Sequence, residues 1–501
     1  MAQRIVASRR EVGEHVKESR ELFRRPSLAA EGVNVNILYR RCAGLDVHKK
    51  SISACLRNRV HGHKVDVKTA EFGTTTQELE RLRDWLKEHR VKHVAMESTG
   101  VYWIPVWNVL ELARYGFDLM VVSPQQVRAL QGRKTDRIDA QRIAEFLQYG
   151  LLRGSFVPPR PIRELRDLTR CRVHLQQDRN RVINRIGRLL ETANVKLGSV
   201  ISNIVGASGL SILQAVARGI RDPEKLAGYK VGNLKCTHEE LVRALDGRFN
   251  DHFRWLLRDL LDKLAYLDRK LAELDARTRE SMEPYMPVVR RLCTLPGVDY
   301  LAACAMVAEI GVDMSVFPTA NHLASWAGLC PGNHESAGKR LSGRTRKGSR
   351  YLRRLLIQNA WGVARRKNCG LTAVFYKIAS RRGMKKAAMA VAHKILVIAY
   401  YIIRDAVEYK DPGGDYLDRR DPERTAKRLL ARLERIGFPV DPNLKAILAT
   451  RRHRSKAPRP PIPLEQASGC PQCAGWGIPC IHARNQKRPP ESGASNSEHS
   501  G

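Results

Sequence analysis

Between residues 41 and 148 the sequence alternates short apolar runs with longer amphipathic ones. Three short runs, CAGLDVHKK, SISACLRN and VKTAEFGTT, are separated by charged or turn-forming residues and predict a three-stranded meander. A helix beginning near Thr75 or Thr76 follows, with Leu79 and Leu82 on its apolar face. The next runs predict a strand at VKHVAMES, a helix, a strand at FDLMVVSP and a helix at KTDRIDAQRIAEF. This order of elements predicts an α/β domain.

Four acidic residues fall at the boundaries of these elements. Asp46 and Glu97 end two strands, and Asp136 and Asp139 share one face of the last helix because they are three residues apart. Four carboxylates from separate elements suit Mg²⁺, and a paired-metal site supports in-line displacement at a phosphodiester. A simpler interpretation makes them a helix cap, a complement to the helix dipole and two solvated strand ends. The element order, with acids at these places, is that of an RNase H-like nuclease core and favours the metal site.

The composition points to a polyanionic partner. Of 501 residues, 88 are Lys or Arg and 51 are Asp or Glu, so the formal net charge is +37 and the pI is near 10.2. Such a field attracts polyanions. The length and the acid cluster argue against a ribosomal protein, and the lack of a separate basic amphipathic anchor argues against a membrane-surface protein. Nucleic acid is the expected partner, and no membrane is expected.

The sequence predicts an intracellular protein. It has no run of eighteen uninterrupted apolar residues, and its N-terminus, MAQRIVASRREVGEHVKESR, lacks the apolar core of a signal peptide. We therefore expect a cytoplasmic, nucleoid-associated location. Residues 1–40 are charged and weakly patterned and form an N-terminal extension. Most of the eleven cysteines are interpreted as small buried hydrophobes in a reducing compartment.

Two long polar helices are predicted after residue 160, separated by shorter ones. The first lies between Pro161 and Lys196, and the second lies between Phe253 and Met282. Leucines of the second helix are alternately three and four residues apart, which is the spacing of a coiled-coil seam. They are Leu257, Leu260, Leu264, Leu267, Leu271 and Leu274. The seam pairs with the first helix or with another subunit, and the sequence leaves both open; a homo-oligomer, dimer or tetramer, is expected.

A Pro-Gly-Val turn after Leu295 joins two apolar helical segments in LPGVDYLAACAMVAEIG. A helix-hairpin-helix of this kind offers backbone N–H groups to a phosphate at the start of its second helix. A plain packed helical hairpin fits the pattern equally well. A Gly-rich cationic loop, WAGLCPGNHESAGKRLSGRTRKGSR, follows and leads into an amphipathic helix with a basic face.

The C-terminal part of the chain, after Asp411, is predicted to contain a charged helix, PERTAKRLLARLERIG, and a Pro-rich linker. Beyond the linker, Cys470, Cys473, Cys480 and His482 have the CxxC and CxH spacing of a structural Zn²⁺ knuckle. Reduced cysteines without a metal are the alternative interpretation.

With the four acids, the Pro-Gly-Val hairpin and the serine-bearing basic loop in this order, the chain resembles the DEDD-motif insertion-sequence transposases of the one-ten and eleven-eleven type. The resemblance spans residues 41–439 and rests on GLDVHKKSI, AMESTGVYW, KTDRIDAQRIA, LPGV with AEIG, and WAGLCPGNHESAGK through KGSRYLRR. It implies a RuvC-like domain at 41–160, a helical coiled-coil region at 161–285 and a helical, serine-bearing C-terminal domain at 286–410, before a basic tail at 411–501. Some members are directed to DNA by a bridge RNA, so a structured guide RNA is a further expected partner.

The resemblance also assigns roles to residues. The family's acidic tetrad falls on the four acids above, and its catalytic serine falls on Ser336, in SAG where relatives commonly have SGG or SSG. Ser342, which also precedes a glycine, is the competing candidate, and a turn role in a Gly-rich loop is the alternative for both. The implied reaction is cleavage and rejoining of DNA strands, with Mg²⁺ on the acids and a covalent serine–DNA intermediate. The expected nucleic-acid-binding cations are Lys339, Arg340, Arg344, Arg346, Lys347, Arg350 and Arg353.

Several alternatives stay open. A coiled coil separates the serine from the acids, so the serine meets either the acids of its own chain or those of a neighbouring subunit. A RuvC-like metal-dependent nuclease of the junction-resolvase type uses the same acids with water as the nucleophile and gives Ser336 no role. A catalytically inactive nucleic-acid-binding relative keeps the acids as structure alone.

Overall fold

The structure, a computed structural model, describes residues 37–60, 65–98, 100–124, 136–332, 334–336, 339–343, 345 and 347–443. The chain divides into two compact units between Val157 and Pro158. Each unit has its own hydrophobic core. Most of the expected N-terminal extension and the four predicted zinc ligands, Cys470, Cys473, Cys480 and His482, lie outside the described residues.

The first unit has an α/β architecture. Its described strands are β1 (Arg41–Val47), β2 (Ser51–Arg59), β3 (Val65–Gly73), β4 (His93–Glu97) and β5 (Asp118–Val122). Its helices are α1 (Thr76–Glu88), α2 (Trp103–Glu111) and α3 (Asp136–Gln148). The elements follow one another in the predicted order, which confirms an RNase H-like arrangement of a mixed sheet with helices.

The five strands form one mixed sheet in the order β3-β2-β1-β4-β5. β1, β2 and β3 are antiparallel neighbours, as predicted for a meander. β4 is parallel to both β1 and β5, and α2 provides the crossover between β4 and β5. The carboxyl ends of β1, β4 and β5 therefore lie at the same edge of the sheet.

The sheet separates two layers of helices, because successive side chains of a strand point to opposite faces. Leu45 packs with Leu82 in the core formed with α1 and α2. Cys42, three residues earlier, packs in the core formed with α3. Gly44 permits the close approach of α3, since a Cβ at this position would lie 2.3 Å from the backbone nitrogen of Ala144.

The second unit is almost entirely helical. Its helices are α4 (Arg160–Thr192), α5 (Leu197–Val200), α6 (Ala207–Arg218), α7 (Pro223–Ala227), α8 (His238–Leu245), α9 (Asp251–Met282), α10 (Met286–Cys293), α11 (Tyr300–Ile310), α12 (Ala320–Trp326), α13 (Arg350–Ala364), α14 (Gly370–Arg382), α15 (Met384–Asp405), α16 (Tyr416–Arg420) and α17 (Pro422–Arg435). Its strands are β6 (His334–Ser336) and β7 (Lys339–Ser342), which form an antiparallel hairpin. Short 3₁₀ turns occur at Glu283–Tyr285 and Met314–Val316.

The predicted leucine seam pairs within the chain. α4 and α9 pack against each other, and Leu264 and Leu267 of α9 share a core with Ile186 of α4. The direction is antiparallel, because Arg172 near the start of α4 binds Asp275 near the end of α9, with Nε and Oδ1 2.6 Å apart. Pairing between subunits through the remaining surface stays a prediction.

The LPGV segment joins α10 and α11 into a packed helical hairpin. Gly297 has a φ of +78°, and a Cβ there would lie 2.6 Å from the backbone oxygen of Asn359 in α13. A glycine is therefore needed for both the turn and the contact. At the start of α11 the Asp299 carboxylate accepts a hydrogen bond from the Ala302 N–H at 2.8 Å, which occupies one of the amides that a phosphate would use. Phosphate binding by this hairpin stays a prediction.

α15 is the central helix of the C-terminal part. Its length and composition would allow it to cross a membrane, with a mean hydropathy of 1.5, but 72% of the apolar window is buried inside the protein. The helix packs against α10, α12, α13 and α14, and the Tyr400 hydroxyl donates to the Phe317 carbonyl at 3.0 Å. These contacts are those of a core helix.

The prediction that most cysteines are buried is wrong for the part of the chain that the structure describes. Four of the eight cysteines there are buried, namely Cys42, Cys55, Cys304 and Cys369. Cys171 and Cys293 are exposed, because they lie on the outward sides of α4 and α10. Spacing alone did not distinguish the two groups.

Candidate active site

Two of the four predicted acids lie side by side at the carboxyl ends of β1 and β4. Leu45 of β1 pairs with Met96 of β4 in parallel register, so Asp46 and Glu97 occupy the next positions on adjacent strands. Both continue the series of side chains on the α3 face, because Gly44, two residues before Asp46, lies against α3. The strand register thus brings these two carboxylates to one face of one edge.

Asp46 is largely withdrawn from water. Its exposed fraction is 5%, and its Oδ2 lies 3.1 Å from Nε2 of His48. Ser53 of β2 stands opposite in the antiparallel register. A carboxylate at such a position needs a compensating positive charge or several donors. His48 supplies one of these contacts. No role for His48 was predicted from the sequence, although its position two residues after Asp46 in the predicted strand places both side chains on the same face.

The first turn of α3, which carries the other two acids, lies at the same end of the sheet. α3 runs antiparallel to β1: the Cys42 thiol donates to the Ala144 carbonyl at 3.3 Å, and the Leu38 N–H donates to the Gln148 carbonyl at 2.9 Å. The amino end of α3 is therefore next to the carboxyl end of β1. Asp139 is partly buried, and its Oδ1 lies 3.7 Å from a guanidinium nitrogen of Arg142.

Metal coordination by these acids stays a prediction. Among the described side chains, no three His, Cys, Asp or Glu residues lie close enough together to hold a metal ion. The side chain of Asp136 lies outside the described residues. What the structure brings together is the backbone of the four positions, at one edge and on one face of the sheet.

Arg57 braces α3 against the sheet from β2. Its Nε donates to Oε1 of Gln148 at 2.9 Å, and its Nη2 lies 3.4 Å from Oε1 of Glu145. Both partners lie in the last turn of α3, so the brace fixes the end of the helix that is distant from the acids. No local sequence pattern marks Arg57, because its partners lie about ninety positions further along the chain.

The thiols beneath α3 are packing groups. Burial raises the pKa of Cys42 to about 12 and that of Cys55 to about 11. Both are therefore neutral thiols near pH 7, and a neutral thiol is a poor metal ligand. Oxygen atoms are thus the donors that this edge of the sheet offers, which suits a hard divalent cation.

The two candidate serines lie at opposite ends of the β6–β7 hairpin, in a segment that was predicted as a loop. Ser336 ends β6 and pairs with Lys339 next to the turn, whereas Ser342 ends β7 and pairs with His334 at the open end. The loop prediction is wrong here because cross-strand pairing, which leaves little signal in a Gly-rich sequence, organises the segment. The side chain of Ser336 lies outside the described residues.

Three of the predicted nucleic-acid-binding cations have described side chains. Lys347 and Arg350 are exposed and Arg353 is partly exposed, around the start of α13. The remaining four side chains, those of Lys339, Arg340, Arg344 and Arg346, lie outside the described residues. The described cations are thus available at the surface beside the hairpin.

Glu309, near the end of α11, anchors the start of α13. Its carboxylate is 2% exposed and accepts hydrogen bonds from Nε and Nη2 of Arg170 at 2.8 and 3.1 Å. The Ser349 hydroxyl donates to the same carboxylate at 2.9 Å and also caps α13 by accepting from the Leu352 N–H. The Arg170 guanidinium lies 4.6 Å from the ring centroid of Tyr351. This network joins α4, α11 and α13. In the sequence, its only indication is an acidic residue, Glu309, within the apolar run that ends in AEIG.

Replacing this acid is expected to destabilise the second unit. Glu309→Ala leaves the Arg170 charge and the Ser349 hydroxyl without their partner, and the loss of one member of a buried pair costs about 3 kcal/mol. Urea unfolding followed by circular dichroism measures the effect as a lower midpoint. The matched control is Glu280→Ala, because Glu280 is exposed on α9. Equal midpoints for the two variants would contradict a structural role for the network.

Comparison with known proteins gives matches to both units. A transposase model of the DEDD type, DEDD_Tnp_IS110, matches residues 43–195. A model of the transposase IS116/IS110/IS902 family matches residues 289–377. The first match includes all four predicted acids, and the second includes Glu309, both candidate serines, all of α13 and most of α14.

Similar proteins include several transposases. A probable family 20 transposase of Pseudomonas aeruginosa is 26% identical over 379 residues, which cover 74% of this chain and 98% of that protein. The transposase for insertion sequence element IS1111A of Coxiella burnetii is 27% identical, over 59% of this chain and 74% of its own. A pilin gene-inverting protein of Moraxella lacunata is 23% identical, over 72% and 95%. The solved structure of Thermus thermophilus RuvC aligns at 14% identity with a TM-score of 0.19, over 23% of this chain and 99% of RuvC.

Both family models describe transposases, and they match the chain in the order expected of one continuous protein, so the class is that of enzymes that act on DNA to move a mobile element. More particularly, the chain is an insertion-sequence transposase whose two matched segments are similar to transposases of the IS116/IS110/IS902 family.

Proposed function

We propose that this transposase cuts and rejoins DNA by transesterification, with Mg²⁺ held by Asp46, Glu97, Asp136 and Asp139 and with Ser336 as the nucleophile. The observation that carries the proposal is the strand register, which sets Asp46 beside Glu97 on the face that α3 covers. The antiparallel course of α3 adds the positions of the other two acids at the same edge.

The donor set at this edge fits a divalent cation. The carboxylate of Asp46 is buried beside the position of Glu97, and two neighbouring negative charges in such a place repel each other, so a bound cation held by these acids would offset the repulsion. Bound Mg²⁺ supplies charge stabilisation to the phosphate in the transition state and fixes its orientation. The acids hold the cation, and the His48 contact orients Asp46 from behind.

The serine performs the covalent step. The Ser336 hydroxyl loses its proton to a carboxylate of the acidic edge while its Oγ attacks the scissile phosphorus. The new P–Oγ bond forms as the bond from phosphorus to one deoxyribose oxygen breaks, and that oxygen takes up the proton. The serine–DNA phosphodiester keeps the energy of the broken bond, so a deoxyribose hydroxyl of another strand end can reverse the step and rejoin DNA without an energy source.

The basic segment around the hairpin holds the DNA backbone near the serine. Lys339, Arg340, Arg344, Arg346 and Lys347 precede α13, and Arg350 and Arg353 continue the series on its first turn. Contacts of this type are made to phosphates and position the strand without reading its sequence. The DNA sequence must therefore be recognised by another component. We propose a structured bridge RNA, as in some members of the family, for this role.

The proposal predicts that strand cleavage depends on a divalent cation. Cleavage of a labelled DNA substrate carrying the element end is expected to stop in excess EDTA and to return with Mg²⁺, because the acids alone repel the phosphate. Ca²⁺, which is larger and binds with flexible geometry, is expected to support binding with little cleavage. Cleavage that persists unchanged in EDTA would contradict the metal-dependent mechanism, and cleavage in Mg²⁺ without any covalent adduct would favour the hydrolytic nuclease.

A further inference from the structure

A cleft in the second unit lies beside the Glu309 network, whose members Arg170 and Tyr351 form part of its lining. Its volume is about 550 Å³, within the range of about 300–1,000 Å³ that is typical of small-ligand sites. Most of its lining comes from α4, α11 and α13, with Thr278 of α9 and the turn before α11 completing it; the residues of α11 are called its floor. All of its lining belongs to the described residues of one compact unit.

Amide side chains line this cleft on two sides. Gln177 of α4 is partly exposed and Gln358 of α13 is exposed, and both belong to the lining. Asn359 also borders the cleft, but its side-chain Nδ2 is buried and has no hydrogen-bond partner among the described residues. The walls therefore present amide groups that can read the edge of a flat polar ligand.

An aromatic ring and a floor of small residues complete the cleft. Trp361 of α13 is 36% exposed and packs edge-on against Phe375, with ring centroids 5.6 Å apart. This contact holds the indole in place while leaving part of it open to the cleft. On the floor, Ala302 and Ala305 leave room for a planar group. Amides, a fixed indole and an apolar floor are the groups that bind unstacked nucleobases.

The cations around the cleft differ in their pairing. Arg170 and Arg172 are neutralised by Glu309 and Asp275. Arg354 and Arg365, by contrast, are exposed on α13 and make no ion pair with any described residue. The cleft thus has an excess of positive charge on its α13 side, where it can hold a backbone phosphate.

We propose that this cleft binds one extrahelical nucleotide of the nucleic acid on which the transposase acts, with the base against Trp361 and Gln358 and its phosphate at Arg354 and Arg365, four residues that share one face of α13. This inference rests on the proposed function, because the bound polymer is the nucleic acid that the proposed reaction uses. A protein segment is disfavoured as the occupant, because the exposed Arg354 and Arg365 favour an anionic polymer. The nucleotide comes from DNA or from RNA, since the base and phosphate chemistry is shared.

Binding of a bulged base by the purified full chain tests the proposal. The probe is a short DNA duplex with a single bulged 2-aminopurine, compared with the same duplex carrying an abasic bulge, and an RNA duplex pair of the same design. The protein is expected to bind the base-containing bulge about tenfold more tightly than the abasic one, the contribution of one stacked base, and to change its 2-aminopurine fluorescence. The polymer that shows the preference identifies the source.

Two variants locate the effect. Ala305→Phe fills the cleft without changing its charge and is expected to remove the preference for the base, while binding of a fully paired duplex stays the same. Arg365→Gln is expected to weaken binding of both bulged probes, whereas its neighbour Arg366→Gln, exposed and outside the cleft, is the matched control. Circular dichroism and unfolding midpoints establish that each variant is folded.

The outcomes distinguish failure of the cleft proposal from failure of the proposed function. Equal binding of base and abasic probes by the unmodified chain, or a preference that survives in folded Ala305→Phe, overturns the cleft proposal. A preference that Ala305→Phe removes supports it. Strand cleavage is measured on the same preparations: a cleft that binds the base in a chain whose cleavage needs neither metal nor Ser336 would overturn the proposed function alone.

Discussion

Asp46→Asn is expected to abolish strand cleavage, by about 1,000-fold or more, while the chain stays folded. The substitution keeps the size of the side chain and removes the negative charge from a buried position of the acidic edge, where the exposed fraction of Asp46 is 5%. An amide is a weaker ligand than a carboxylate, so the cation loses affinity and its orientation against the scissile phosphate. Rates of cleavage of a labelled DNA substrate, measured at saturating Mg²⁺, give the effect.

Two further variants separate coordination from general damage. His48→Gln removes the imidazole that contacts Asp46. It is expected to lower the rate of strand cleavage by about 10-fold to 100-fold, the usual effect of losing a group that orients a metal ligand. Glu88→Gln removes an exposed acid of α1, on the other face of the sheet, and is expected to change little. An Asp46→Asn protein that cleaves at the rate of the Glu88→Gln protein would end the case for a metal site here.

Thermal unfolding gives a readout that does not depend on activity. A cation that binds the folded chain at 100 times its Kd stabilises it by about 2.7 kcal/mol. Mg²⁺ is therefore expected to raise the unfolding midpoint of the unmodified chain and to leave that of Asp46→Asn nearly unchanged. Removal of one charge from a repelling group also predicts that the variant is no less stable than the unmodified chain when both are free of metal.

The sequence was sufficient where local pattern and tertiary structure agree. The short apolar run around Asp46 predicted β1, and the helix predicted to begin near Thr75 or Thr76 begins at Thr76, with Thr75 as its N-cap. Each acid taken alone had an ordinary structural explanation, so the prediction of a shared site rested on the four acids together, and metal binding there stays a prediction. The leucine spacing predicted a seam on α9, whereas its partner, α4, followed only from the contacts between the two helices.

The rest depended on pairs of residues that are distant in the sequence. Arg57 with Gln148, and Arg170 with Glu309, are each separated by 90 to 140 positions, so no window of the sequence contains both partners. The cleft beside Asn359 arises from three helices that the chain visits far apart, and composition does not encode such a space. Glu309 shows why these features could not be predicted. Its role depends on the residues that surround it in the fold, whereas a single sequence gives only the identity of the residue.

Ser336→Ala is expected to lower the yield of the covalent protein–DNA adduct by about 1,000-fold or more, because the substitution replaces the attacking hydroxyl with hydrogen. The acids and the surrounding cations remain, so DNA binding is expected to be unchanged. A labelled DNA strand that stays with the protein on a denaturing gel measures the adduct. Ser342→Ala is the matched control, since Ser342 lies at the opposite end of the same hairpin, and it is expected to form the adduct.

The same variants show how the site is assembled. Mixing a Ser336→Ala chain with an Asp136→Ala chain, each inactive alone, restores adduct formation if the serine of one chain meets the acids of another. A mixture that stays inactive places both parts of the site in one chain. Adduct formed equally well by Ser336→Ala removes that serine from the mechanism, and adduct lost in Ser342→Ala instead would assign the nucleophile to the open end of the hairpin. Cleavage by Ser336→Ala without an adduct would leave water as the nucleophile and the acids as the whole of the catalytic machinery.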